Sequence, residues 1–149
     1  MLKAMNRGYT TAYYKELVAK IRNQFPEASF TTDLIVGFPG ETDEDFAQML
    51  EFLKEIRYDA AYTFLYSKRS GTPAATMENQ VPQDSKKERL HKLMDAQNEI
   101  SLEINQSLLN KTVEVMVEGL VKLNQMFIRV ILALIKLCFG NIKMNKSAI

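Results

Sequence analysis

The chain has one cysteine, Cys138, and one histidine, His91, in 149 residues. A lone thiol excludes an internal disulfide framework and points to a reducing compartment. It also excludes, within this chain, the three or four thiolates that an iron–sulfur cluster takes. His91 has no second histidine and no nearby cysteine, so it does not read as a metal ligand. An excess of charge is missing too: 19 basic against 18 acidic residues leave a formal +1. Bulk electrostatics therefore do not argue for nucleic acid. Residues 1–16 are polar and charged rather than apolar, so no signal peptide is visible and a cytoplasmic setting is expected. What is present is ordinary for a soluble globular protein: 46% hydrophobic and 25% charged residues, in a length that allows one respectable core.

The most informative stretch is Thr31 to Phe46, TTDLIVGFPGETDEDF. Leu34, Ile35 and Val36 form an apolar strand that runs into a turn built on Gly37, Pro39 and Gly40. A helix then opens with Thr42 as cap and Asp45 three positions on, the spacing of a capping box. Strand, glycine turn and helix start is how α/β proteins build ligand sites at the carboxyl ends of strands.

Around this block the pattern alternates. Tyr13, Tyr14, Leu17, Val18, Ile21 and Phe25 recur at helical spacing and Pro26 closes the segment. Phe46, Met49, Leu50, Leu53 and Ile56 make one helical face between Asp43 and Ile56. A second strand, rich in aromatics, spans about Ala60 to Tyr66, followed by a long Gly/Pro/Thr loop, Ser67 to Gln83. A long helix is expected from Ser85, with Ser85 and Glu88 as its capping box and a stripe of Leu90, Leu93, Met94, Gln97, Ile100, Ile104 and Leu108. Val113, Val115 and Val117 alternate with polar neighbours as a half-buried strand. The first five elements suit parallel α/β structure with right-handed crossovers. Two parallel strands cannot close a barrel, so the sequence reads as the back part of a larger one.

Several segments, in order, resemble the radical S-adenosylmethionine methylthiotransferases. They are Leu2 to Thr10 (LKAMNRGYT), the block Thr32 to Phe46, and Ala61 to Ser67 (AYTFLYS) with Arg69, Gly71, Thr72, Pro73, Ala74 and Ala75. Val81-Pro82 and the helix with Gln97 to Asn105 continue the match, which runs from residue 1 to Gly119. The resemblance implies the carboxyl-terminal part of a radical-SAM partial (β/α) barrel over residues 1–109 and the first strand of a truncated TRAM β-domain over 110–119. Residues 120–149 remain as an anomalous apolar tail. It also implies S-adenosyl-L-methionine and two 4Fe–4S clusters as cofactors of the full-length enzymes, and tRNA as partner. The YTF…YS…R…GTPAA version resembles the tRNA branch, which adds a methylthio group at carbon 2 of N6-isopentenyladenosine 37. The alternatives are the sister branch acting on a ribosomal protein and a small non-enzymatic protein binding RNA or a membrane surface. The family's Cys-x3-Cys-x2-Cys motif is absent, so the chain is expected to be inactive without the missing amino-terminal half.

By resemblance, Ile35, Gly37, Pro39 and Gly40 lie beside S-adenosylmethionine, against the plainer reading of a turn needing glycine for its backbone. Thr32 and Asp33 are read as facing into the barrel. Phe64, Tyr66 and Ser67 take the place where such enzymes bracket adenine, or else are strand packing. Lys68 and Arg69 are either tRNA phosphate contacts or solvated loop charges. Glu41, Asp43, Glu44 and Asp45 read as a dipole-complementing helix start, and Lys86, Lys87, Arg89 and Lys92 as a solvated basic face.

From Leu120 to Phe139 an apolar run is broken by Lys122, Arg129 and Lys136 at seven-residue intervals. Those charges make a bilayer span untenable, though an amphipathic helix on a membrane or partner fits the pattern. A frameshift after Gly119 fits better. A family-like segment GYTRTNK, spelled GGT TAT ACT CGC ACT AAT AAA and read one base later, gives Val130 to Lys136.

Overall fold

A computed structural model describes residues 1–113 and, as backbone strands, 115–121, 124–132 and 136–140. The chain divides into two compact units, Met1–Leu109 and Asn110–Ile149.

The first unit is helix and strand in alternation. Helix α1 (Thr11–Gln24) is capped by Thr10, whose Oγ1 accepts from the Tyr13 N–H at 3.2 Å. Strand β1 (Thr31–Val36) leads through the glycine turn into α2 (Asp43–Ile56), and β2 (Ala60–Leu65) follows. The capping box is formed as the spacing predicts: Thr42 Oγ1 takes the Asp45 N–H, and Asp45 returns the bond to the Thr42 N–H, both at 3.1 Å. At the other end of α2, Arg57 turns left-handed (φ 54°), and the Arg22 guanidinium donates to the freed carbonyls of Ile56 and Arg57. Strands β1 and β2 pair in parallel, Thr31 opposite Ala60 through Val36 opposite Leu65, with α2 as the crossover. Their starts are joined twice, Phe30 N–H to Asp59 Oδ2 and Asp59 N–H to Phe30 O, each at 2.9 Å.

After a short turn of helix, α3 (Pro73–Thr76), the long α4 (Gln83–Gln106) packs on β2, β1 and α2. It begins two residues before the expected Ser85, with Pro82 at its cap and no side-chain bond there. The fixed φ of proline suits a helix entrance, so the backbone enters the helix ahead of the Ser85–Glu88 box. Gln97 Nε2 donates to Tyr58 O at 2.8 Å and Ser101 Oγ to Asp59 O at 2.9 Å, which pins α4 to the start of β2.

One core holds this unit: Val18, Val36, Phe46, Leu53, Ile56, Tyr58, Leu93 and Ile100. All of it lies on the helix-covered face of the two-stranded sheet. Burying a side chain such as Leu53, 1% exposed, stabilises by roughly 1.5–3 kcal/mol. The opposite sheet face carries Tyr62 and Phe64, 66% and 49% exposed.

The second unit contains an antiparallel sheet in the order β3-β4-β5: β3 (Val115–Val121), β4 (Asn124–Leu132) and β5 (Lys136–Gly140). Its first strand begins two residues after Val113. The register shifts between Val117 and Gly119, opposite Val130 and Arg129. The stretch read as suiting an amphipathic helix therefore has strands at 124–132 and 136–140, which pair antiparallel from Ile128 opposite Gly140 to Leu132 opposite Lys136. Residues 114, 122–123, 133–135 and 141–149 lie outside the described set, and with them part of the anomalous tail.

Candidate functional site

The site region is the carboxyl end of β1 and β2. The parallel register sets Asp33 beside Tyr62 and Ile35 beside Phe64 on the open face. Asp33, Tyr62 and Phe64 are exposed there. Thr32, expected to share that direction with Asp33, alternates to the helix side. It hydrogen-bonds the buried Tyr58, whose phenol is pushed above its usual pKa by burial and further by its bond with Tyr14.

The glycine turn is closed rather than open. Gly37 (φ +75°) is buried, and a Cβ on it would stand 2.3 Å from Lys86 Cγ. Glycine is thus demanded by the Lys86 stem as well as by the backbone angle. Its N–H donates to Glu41 Oε2 at 3.0 Å. Two further turn amides are taken: Gly40 N–H by Asn79 O at 2.9 Å, Glu41 N–H by Phe38 O at 3.0 Å. Pro39 is buried and Gly40 (φ +81°) is exposed, with open space where its Cβ would be.

Behind the turn sits an ionic knot that joins the acidic helix start to the basic face of α4. Glu41, read with Asp43, Glu44 and Asp45 as complementing the helix dipole, has a side chain 1% exposed that meets Arg89 Nη1 at 2.7 Å. Arg89 also donates to Glu41 O at 3.2 Å and to Asp43 Oδ1 at 2.7 Å. Burial works against its charge, but the hydrogen bonds to Asp43 and Glu41 outweigh that and raise its pKa. The basic face is not solvated as a whole. Lys86 and Arg89 are buried, whereas Lys87 and Lys92 are exposed. The spacing 86, 89, 93, 97, 100 is one inward helical stripe, and its first two positions meet polar turn atoms instead of apolar core. That periodicity was the available signal.

Tyr66 follows β2, its N–H donating to Val36 O at 2.8 Å and its ring edge-on to Phe38 at 5.3 Å. Its hydroxyl is buried without a hydrogen-bond partner among the described residues. Phe64 is exposed on the open face, Tyr66 is half-buried under Lys86, and Ser67 is exposed. Lys68 and Arg69 are exposed, and neither makes an ion pair among the described residues. The Arg69 carbonyl is tied to the Thr72 hydroxyl at 2.8 Å in a turn through Gly71 (φ +80°).

A cleft of about 430 Å³ opens beside the turn, lined by Gly40, Asp43, Asn79, Gln80, Ser85 and Arg89 among others. Of the residues expected to meet a cofactor, only Gly40 lines it. Among the described residues no three His, Cys, Asp or Glu side chains cluster as a metal site. No helix among them is long and apolar enough to cross a membrane.

Strand β1, its glycine turn and most of α2 fall within residues 1–53, which match the model of the radical SAM superfamily. Beyond that class, the chain is 59% identical over 124 residues to the tRNA-2-methylthio-N(6)-dimethylallyladenosine synthase of Acetivibrio thermocellus, covering 83% of this chain and 26% of that protein. The synthase of Alkaliphilus oremlandii is 59% identical over 119 residues (80% and 25%), and that of Clostridioides difficile 50% over 125 (84% and 26%). The chain belongs to the family of these synthases, the radical S-adenosylmethionine methylthiotransferases. It spans about a quarter of the length of the curated relatives it matches.

Proposed function

We propose that this chain is one portion of a tRNA methylthiotransferase, the enzyme that adds a methylthio group to carbon 2 of N6-isopentenyladenosine 37. The observation that carries this reading is the 50–59% identity to synthases so named, over four fifths of the chain. In this reading Met1–Leu109 supplies the last two strands and helices of the barrel. The bare sheet face with Asp33, Ile35, Tyr62 and Phe64 supports it, because a barrel interior is the surface that such a segment leaves uncovered.

The chain does not fit an iron–sulfur cluster, since one cysteine cannot supply its thiolates. It fits S-adenosylmethionine in part. The open face offers an apolar wall at Ile35 and Phe64 and a carboxylate at Asp33, while the turn amides of Gly37, Gly40 and Glu41 are already bonded within the chain. S-adenosylmethionine would supply a radical only when cleaved by an electron from a cluster that this chain does not hold; Asp33, Ile35 and Phe64 would bind and orient it. Lys68 and Arg69 are placed in this reading against tRNA phosphate, supported by their exposure and by the lack of acidic partners among the described residues. Residues 110–119 are read as the first TRAM strand and 120–149 as a frameshifted continuation; nucleotide sequencing through codon 119 tests this.

Two measurements test the function. The chain reconstituted with iron and sulfide is expected to hold no stoichiometric four-iron cluster; cluster absorbance at one per chain overturns the reading. Co-expressed with a polypeptide carrying the Cys-x3-Cys-x2-Cys half, it is expected to restore methylthiolated nucleoside in tRNA from a deficient strain. Methylthiolation of a ribosomal protein instead would assign the sister branch.

A further inference from the structure

The least explained group in the fold is the Lys86 ammonium. Lys86 is 7% exposed, and its stem fills the notch at Gly37, the residue that follows β1. Its Nζ donates to the carbonyl of Tyr66, the residue that follows β2, at 3.2 Å, and lies 5.1 Å from the Tyr66 ring centroid. An ammonium has three donors, and no carboxylate pairs with this one among the described residues. The nearby acid, Glu41, is consumed by Arg89 and the Gly37 N–H. Buried cations are paired in native proteins because an unpaired one costs several kcal/mol. The same stripe of α4 shows the contrast: Arg89, one turn on, is matched by two carboxylates.

We propose that Lys86 is an oxyanion-binding residue, held at the carboxyl ends of β1 and β2 to receive a negatively charged oxygen of the ligand bound there. The proposal rests on the reading of this end as a ligand site and adds the chemistry that the site recognises. Two sources carry such an oxygen: the carboxylate of an S-adenosylmethionine-type ligand and a phosphate of RNA. One point charge on a flexible stem suits either. An unpaired buried charge also has a signature in stability, because its removal relieves a cost that only the ligand offsets.

The test uses the 149-residue chain with S-adenosylhomocysteine, its carboxyl methyl ester and inorganic phosphate as probes, read by calorimetry. Lys86→Met is expected to weaken S-adenosylhomocysteine about tenfold or more, the ester little, and Lys86→Arg to retain most affinity. The Lys86→Met melting temperature is expected to be equal to or above that of the parent. If phosphate binding is lost on Lys86→Met while S-adenosylhomocysteine binds nowhere, the oxyanion is phosphate; the proposal then stands while the cofactor-wall reading fails. Equal loss of acid and ester, no effect on any probe, or no binding by the parent chain overturns it. A Lys86→Met chain that fails to fold points to a structural role. The Lys86 Nζ resonance of the parent chain then decides: a shift on probe addition supports the proposal, and an unmoved signal refutes it.

Discussion

Replacing Arg89 by Met is the sharpest test of the ionic knot. The Met side chain keeps much of the length of the apolar stem, while the contact of the guanidinium carbon with the Phe46 ring, 5.8 Å from its centroid, goes with the charge. What is lost are the bonds to Glu41 Oε1, Glu41 O and Asp43 Oδ1. The Asp43 arm matters least, because that carboxylate is 97% exposed and returns to water. The Glu41 arm decides the outcome. Its side chain is 1% exposed and would retain a single donor, the Gly37 N–H. Stranding such a carboxylate costs about 3–5 kcal/mol. Combining Arg89→Met with Glu41→Gln leaves a neutral amide that still accepts from Gly37, so about 2 kcal/mol or more should return. Urea unfolding followed by the helical circular dichroism signal measures both, since the four helices among the described residues belong to Met1–Leu109. A single-variant cost below about 1 kcal/mol, or a double variant no more stable than Arg89→Met, would refute the reasoning.

Gly37→Ala and Gly40→Ala share a left-handed backbone but differ in surroundings. Gly40→Ala is expected to cost about 1 kcal/mol from backbone strain, and Gly37→Ala about 1–3 kcal/mol more from the Lys86 contact, by the same unfolding assay. Thr42→Ala should cost about 1 kcal/mol through loss of the cap. The backbone hydrogen bond at Thr42 lowers the folded pKa of Asp45, so its contribution is present above the usual carboxylate range. It is expected to fade as pH falls from about 3.8 through the lowered folded value; an Asp45→Asn chain should lack this acid dependence in a pH series of melts, whereas Thr42→Ala, which keeps the backbone donor, should retain most of it. Tyr62→Ser and Phe64→Ala on the open face should alter stability by no more than about 0.5 kcal/mol. If the cofactor reading holds, Phe64→Ala weakens S-adenosylhomocysteine binding to this chain in calorimetry.

The elements of the first unit were legible because each is set by neighbours in sequence. The Thr42–Asp45 box, the 3.6-residue face from Phe46 to Ile56 and the short apolar run before Gly37 fix α2 and β1 locally. The start of α4 was misread for the same reason inverted. Ser85 and Glu88 make a plausible local cap, but Pro82 sets the entrance two residues earlier. The resemblance of the Thr32–Phe46 block named the family before any packing was known.

Which charges are inside was decided only in three dimensions. Glu41 stands in the same acidic run as Asp43 and Glu44, and Lys86 and Arg89 share a helix with Lys87 and Lys92; the helical stripe with Leu93, Gln97 and Ile100 sets Lys86 and Arg89 apart but does not say what they meet. They part because α4 docks across the ends of β1 and β2, which turns one stripe of that helix toward the glycine turn. A charge in water costs little and a charge removed from it must find a partner, so this docking made Glu41 and Arg89 a pair and left Lys86 with a single carbonyl. The sequence by itself determined the family, the two parallel strands and the turn between β1 and α2. The tertiary structure determined that the turn is sealed by its own side chains, and that an unpaired cation stands beside it.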